Sequence, residues 1–202
     1  MLSIIISSYQ PHYYQALEKN IAETIGIPYE VIKVDNPGKM GICEAYNQGA
    51  EQAQYDYLLF LHEDVLFITK DWGIALFEYF QNPKIGVIGI AGSNYVPNCP
   101  FAWWDHANHQ FRNLIQYNKA DFLREYKLLE DKEAVCLDGI FLACKKSTYK
   151  LINFEKSITS FHVYDINFST KIAQHAQNII TSKIVRSEER RVGKECLRLC
   201  RS

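Results

Sequence analysis

The chain has 202 residues, enough for one compact domain that buries a core without disulfides. Hydrophobic residues make up 48% and charged residues 22%, the balance of a globular protein and not of a disordered one. The formal charge of −1 excludes a global basic field for nucleic acid or anionic lipid, and no apolar run has the length of a membrane span.

Leu2–Ser8 is an apolar, isoleucine-rich run, read as a first strand buried on both faces and not as a signal peptide. Pro11 opens a helix to about Thr24, with Ala16, Leu17, Ile21 and Ile25 on one side, and Gly26-Ile27-Pro28 stops it. Tyr29–Val34 is a second strand, ended by the turn signal Asp35-Asn36-Pro37-Gly38. A helix from Ile42 to about Ala53 follows, and Tyr57–Leu61 is a third strand running into His62-Glu63-Asp64. In Asp71–Gln81 the residues Trp72, Ala75, Leu76, Tyr79 and Phe80 fit a helical period. Ile85–Ala91 is a fourth strand. The stretch from Asn94 to about Lys132, with Trp103-Trp104, has no clean period and reads as a long excursion over the sheet with at most one helix. Val135–Cys144 is a strand interrupted by Asp138-Gly139, Lys146–Ile152 a short helix, Tyr164–Ala176 a helix and Asn178–Val185 a last strand.

Alternating strands and helices predict an α/β fold with a mostly parallel central sheet and flanking helices. Ligands of such sheets bind at the carboxyl ends of the strands. Ser8-Tyr9, Asp35-Asn36, His62-Glu63-Asp64 and Ser93-Asn94 stand there. Two adjacent acids at one strand end suit a hard divalent cation, Mg²⁺ or Mn²⁺, shared with a phosphate; an acidic loop in water is the equal alternative. Asp35-Asn36 before Pro37 is first of all an Asx turn. His162 and Asp165 can meet on the first turn of the late helix, as binding group and general base, or Asp165 simply favours the helix start. Asp138, an acid in an apolar strand, marks a bulge or an acceptor contact.

Of the six cysteines, Cys43, Cys99, Cys136 and Cys144 are scattered without a CxxC pair, so neither a zinc knuckle nor a disulfide framework is expected. Buried, reduced thiols in a cytoplasmic protein are. From Arg186 onward the composition changes: six basic and three acidic residues follow with little apolar periodicity, and Cys196 and Cys200 lie among them. This segment, 186–202, resembles an adaptor-derived stretch and is set aside as non-native, which leaves residues 1–185 as a single domain cut short at its end; a basic arm is the alternative.

Taken in order, SIIISSYQ, EVIKVDN, GICEAYNQGAEQAQYDYLLFLHEDV, LDGIFLACKK and FHVYDINFS resemble the nucleotide-sugar glycosyltransferases of the GT-A fold, family 2-like, over about residues 1–185. The resemblance implies donor nucleotide contacts at Ser7, Ser8, Tyr9, Asp35 and Asn47, with Gly41 and Ala45 on the same donor-lining helix. Tyr46 stands where such proteins often carry a basic residue. His62-Glu63-Asp64 takes the place of the family's Asp-x-Asp, which makes Asp64 the metal ligand, lets His62 contact metal or ribose and turns Glu63 away. It further implies Asp165 as the base that deprotonates the acceptor, with Asp138, His162, Trp103 and Trp104 on the acceptor side or behind it. A His that such proteins often carry after the last strand is missing where the segment from Arg186 begins.

The function so implied is transfer of a sugar from a nucleotide-diphosphate donor to a saccharide, lipid-linked or protein acceptor. It is metal-dependent with Mn²⁺ or Mg²⁺, inverts the anomeric carbon and belongs to polysaccharide or glycoprotein assembly. No nucleic-acid partner and no transmembrane segment are expected; the location is cytoplasmic or peripheral to the inner face of the membrane. A nucleotidyltransferase is disfavoured because SSYQPHYYQ holds neither glycine nor Lys or Arg for a phosphate loop. A catalytically inactive sugar-nucleotide-binding relative is the remaining alternative.

Overall fold

The computed structural model describes residues 1–97, 108–117 and 123–189. Leu2–Ser8 (β1), Pro11–Thr24 (α1), Tyr29–Asp35 (β2), Ile42–Gln52 (α2), Tyr57–His62 (β3), Val65–Phe67 (β4) and Trp72–Phe80 (α3) come first. Ile85–Gly89 (β5), Ala91–Ser93 (β6), Gln110–Arg112 (β7), Leu114–Tyr117 (β8), Leu123–Tyr126 (β9) and Lys132–Ala134 (β10) follow. Cys136–Leu137 (β11), Phe141–Lys145 (β12), Lys146–Leu151 (α4), Tyr164–Ala173 (α5), Gln177–Ile180 (β13) and Arg186–Glu189 (β14) complete the chain.

Seven strands form the central sheet in the order β10-β13-β5-β12-β3-β1-β2. β1 runs parallel to β2 and β3, and β13 parallel to β5, as expected. β12 runs against both β3 and β5, and β10 against β13, so the other five strands share one direction and the sheet is mixed and not purely parallel. The reversal has a local cause. The chain turns at Asp138-Gly139 and re-enters the sheet with Phe141 opposite Leu61 and Lys145 opposite Tyr57. The interruption foreseen between Val135 and Cys144 is that turn.

The excursion after Asn94 is β structure where it is described. β7 pairs with β6, which pairs with β11; β8 pairs with β9 and with β14, which also pairs with β4. No helix occurs there among the described residues. Strands of three or four residues are too short to show a period in sequence. Residues 186–189 thus pair within the fold, although the sequence reading set aside everything from Arg186.

The core lies on both faces of the large sheet. Alternation along β1 sends Ile4 and Ile6 to one face and Ile5 to the other, which is why the strand reads as one apolar run. Ile4, Ile6, Leu59 and Leu61 pack under Leu17 and Ile21 of α1 and Trp72, Leu76 and Phe80 of α3. Trp72 stacks on Phe67 at 4.1 Å between ring centroids and donates its indole N–H to Thr24 Oγ1 at 3.0 Å. On the other face Ile5, Leu58, Phe60 and Leu142 pack under Ala45, Tyr46 and Ala50 of α2 and Phe168 and Ile172 of α5. A Cβ on Gly49 would collide with Ile5 Cγ2, so glycine there lets α2 lie close on β1.

Asp131 ties the far end together. It accepts the Tyr79 hydroxyl at 2.9 Å, the Ser182 amide at 2.8 Å and the Ser182 hydroxyl at 2.7 Å. Burial pushes its carboxyl up, but the bonds from Ser182 and Tyr79 outweigh it and hold the carboxyl below its ordinary value. Its stabilisation is therefore present above about pH 4 and lost as pH falls through the depressed value. Asp131→Asn is expected to cost about 1 kcal/mol at pH 7, after discounting for its exposed side, and less below pH 3, read from urea midpoints. Equal midpoints at pH 7 would contradict this.

Candidate active site

The carboxyl ends of β1, β2 and β3 form one rim. Ser7 is in register with His62 and with Val34, and Ser8 with Asp35. Ser8 is buried and Ser7 half-buried, and Ser7 Oγ accepts from the Asn36 side chain at 3.4 Å. Asn36 is the turn-former of this corner: its side chain donates to the Met40 carbonyl at 2.9 Å and accepts the Met40 amide at 3.2 Å. Asp35 projects into solvent and pairs with Lys33 at 2.6 Å. Tyr9 is exposed beside the rim.

The turn between β3 and β4 splits its two acids. Glu63 turns back under α1, where its carboxylate accepts the Tyr9 amide at 3.0 Å and the Gln10 amide at 2.9 Å. Gln10 is the N-cap residue of α1 and Tyr9 the residue before it, so Glu63 holds the chain where it enters the helix and places a negative charge at the helix start. Asp64 is half-buried and makes no hydrogen bond or ion pair within the described residues. It lies close enough to Tyr46 for its charge to act on that hydroxyl.

His62 points across the sheet. Its Nε2 lies 2.7 Å from the Tyr164 hydroxyl at the start of α5. A neutral His62 that accepts there carries its own proton on Nδ1. Tyr164 is buried, and burial, with Tyr46, Asp165 and Asp138 nearby, holds its hydroxyl well above the ordinary value, so it stays protonated. Asp165 follows it. Its carboxylate accepts the Gly139 amide at 2.8 Å and the Ile166 amide at 2.9 Å. Burial raises its pKa; those two amides and the neighbouring His62 pull the other way without cancelling the rise.

Asp138 caps its own turn by accepting the Ile140 amide at 3.0 Å. Gly139, next to it, has no room for a side chain: a Cβ would collide with the Tyr164 hydroxyl. Gly139→Ala is expected to cost about 1–3 kcal/mol and to displace Tyr164 from His62, read as a lower urea midpoint. An unchanged midpoint would show that Tyr164 does not pack on this glycine. Val163, just before Tyr164, holds φ 60°, which a β-branched residue rarely adopts. The strain sits where the chain swings Tyr164 and Asp165 inward.

Thus Ser7, Ser8, Asp35, His62, Asp64, Asp138 and Asp165 gather around the rim and the start of α5. Asn47 is placed differently. Its amide donates to the Phe154 carbonyl at 2.9 Å and accepts the Tyr149 hydroxyl at 2.6 Å, so both its ends are engaged in the core and not at the rim. His162 is exposed, and the hydrogen bonds of its segment run between its backbone and Ser160. Trp103 and Trp104 lie outside the described residues. Tyr164 and the capping role of Glu63 carry no sequence signal of their own; Tyr164 is visible only as the neighbour of Asp165, and Gly139 only as part of the break in its strand. Among the described residues, burial pushes the Cys144 thiol up to about 12 and those of Cys43 and Cys136 to about 11, which keeps these three protonated near neutral pH.

Among the described residues no three His, Cys, Asp or Glu side chains converge as a metal cage. What the rim offers is one uncommitted carboxylate, Asp64. That fits a hard divalent cation held by one carboxylate and by the phosphates of a ligand. It does not fit a cation held by protein alone.

The mixed α/β sheet with flanking helices and a polar rim at the ends of its strands has the architecture of GT-A glycosyltransferase structures. Residues 3–189 match the family described as glycosyltransferase-like, and the chain belongs to that family. None of the curated proteins searched matches it. Among solved structures it is similar to GalNAc-T7 with UDP, GalNAc and Mn²⁺, at TM-score 0.67 and 9% identity, over 95% of this chain and 44% of that one. It is also similar to the mannosyltransferase PcManGT from Pyrobaculum calidifontis in complex with GDP-Man and Mn²⁺, at TM-score 0.67 and 15% identity, over 99% and 60%. A third similar structure is A197 from STIV, at TM-score 0.53 and 14% identity, over 94% and 86%. The chain spans less than two thirds of the first two proteins. Among the described residues no helix is long and apolar enough to cross a membrane.

Proposed function

We propose that this domain transfers a sugar from a nucleoside-diphosphate donor to an acceptor hydroxyl, with inversion at the anomeric carbon. The observation that carries the reading is the His62–Tyr164 contact, which joins the strand end next to the uncommitted carboxylate of Asp64 to the helix start next to the burial-raised carboxylate of Asp165. Ser7, Ser8, Tyr9 and Asp35 hold the nucleoside at the ends of β1 and β2. A divalent cation, Mn²⁺ or Mg²⁺, bound between Asp64 and the diphosphate would neutralise charge on the leaving group. His62, held through Nε2 by Tyr164, has Nδ1 left to contact the same group. Asp165 takes the proton of the acceptor hydroxyl as its oxygen bonds to the anomeric carbon and the bond to the diphosphate breaks. Asp138 orders the turn that presents the Gly139 amide to Asp165. The acceptor is a saccharide, free, lipid-linked or on protein, and the setting is cytoplasmic, at or near the membrane face.

A second reading, a sugar-nucleotide-binding module without turnover, is favoured by one feature: His62 stands where the resemblance puts an acid, and its Nε2 is engaged by Tyr164. A thermal-shift panel of UDP-, GDP- and dTDP-sugars with and without Mn²⁺, followed by donor turnover, tests both. A Mn²⁺-dependent rise with one nucleotide and release of its diphosphate support transfer; the rise without release supports the module. A folded protein with no rise for any nucleotide contradicts both.

A further inference from the structure

A second concave site lies away from the nucleotide rim. Gln110 and Arg112 of β7 and Arg124 and Tyr126 of β9 line a pocket of about 430 Å³, the size that holds a small ligand. The arrangement is built. The Arg112 guanidinium donates to Gln110 Oε1 at 2.7 Å and lies 5.0 Å over the Tyr126 ring. Arg124 and Tyr126 share one face of β9 by alternation, and Glu125 takes the other. No carboxylate lines the pocket among the described residues.

The sheet links this pocket to the reaction centre. Arg112 is opposite Ala91 in the β6–β7 pair, and the Ala91 carbonyl accepts the Asp138 amide on the far side of β6. Residues opposite each other in antiparallel strands share a face, so Arg112, Ala91 and Asp138 stand on one face of the three-stranded sheet. Two strand spacings, about 10 Å of backbone, separate Arg112 from Asp138. The next residue, Gly139, donates to Asp165.

We infer that this pocket is an oxyanion subsite for the acceptor: it takes a phosphate or carboxylate carried by the saccharide that Asp165 deprotonates. Two guanidinium groups line the one pocket and can each donate to the oxygens of such a group, and the Tyr126 ring and Gln110 supply surface and polarity beside them. The inference rests on the proposed transfer for the word acceptor, and on the pocket alone for the oxyanion.

The test titrates the full chain with glucose 1-phosphate, glucuronic acid and glucose, by calorimetry or ligand-observed NMR. The variants are Arg124→Gln and Arg124→Glu, because Arg124 is exposed and its loss spares the fold. At least one of the two anions binds and glucose does not; Arg124→Gln weakens that anion about tenfold and Arg124→Glu abolishes binding, while the nucleotide-dependent thermal shift is the same in all three proteins. Which anion binds tells a phosphate-bearing from an acidic-sugar acceptor. Binding of neither anion, or anion binding that ignores both substitutions, overturns the inference and leaves the transferase reading intact. Loss of the nucleotide shift in the Arg124 variants also overturns it, since the donor diphosphate would then occupy the pocket. Arg124-dependent anion binding without any nucleotide shift keeps the oxyanion site and defeats the transferase reading.

Discussion

Asp165→Asn lowers sugar transfer about 10²–10⁴-fold and leaves nucleotide binding as it was. The Gly139 and Ile166 amides bind different carboxylate oxygens, so the variant keeps an acceptor for one of them and cannot take the acceptor proton. The loss therefore falls on kcat, with KM for the donor unchanged. Two pH effects accompany it. Transfer needs the carboxylate form, so the rate rises with pH through a limb above the ordinary carboxylate range, because burial raises this pKa. The stability sign is opposite to that of Asp131. A group raised in the folded state stabilises below its unfolded value, near pH 4, and that contribution is lost as pH rises through the folded value. As pH rises above the unfolded value the wild type therefore loses stability at this residue, and Asp165→Asn takes away that pH dependence. Transfer within threefold of wild type would take the base role from Asp165.

Asp64→Ala abolishes the Mn²⁺-dependent part of nucleotide binding. Among the described residues Asp64 is the rim carboxylate without an internal partner, so in the proposed site its removal takes away the carboxylate that would hold the cation. The affinity lost is about 10- to 100-fold, and little stability goes with it because no hydrogen bond is broken. Glu63→Ala has the opposite signature. It uncaps α1 at Tyr9 and Gln10, costs about 1 kcal/mol of stability and leaves the metal dependence in place. A Glu63→Ala variant that lost metal dependence while Asp64→Ala kept it would reverse the assignment.

Much of the first half was legible because long elements carry period and punctuation together. β1 to β3 are apolar runs closed by polar corners, and α1, α2 and α3 each show a face. The rim followed from the strand ends, and the Asp138-Gly139 break was visible as an acid in an apolar run. What no local pattern held were pairings between distant strands. Nothing in Phe141–Lys145 says that it runs against β3, and Tyr164 is 102 residues from the His62 it binds. Asn47 was placed at the donor side because its helix lines that side, yet it points into the core toward Tyr149 and Phe154. One residue along a helix turns a side chain by about 100°, so a helix can be assigned to a site before any one residue on it can.

The most direct test of the rim is a crystal grown with Mn²⁺ and the nucleoside diphosphate that raises the midpoint, read by anomalous scattering. The account predicts one Mn²⁺ peak in coordination distance of the Asp64 carboxylate and of the diphosphate, with the nucleoside along Ser8 and Asp35. Mn²⁺ and diphosphate found away from Asp64, or the nucleotide seated on Arg112 and Arg124, would contradict it.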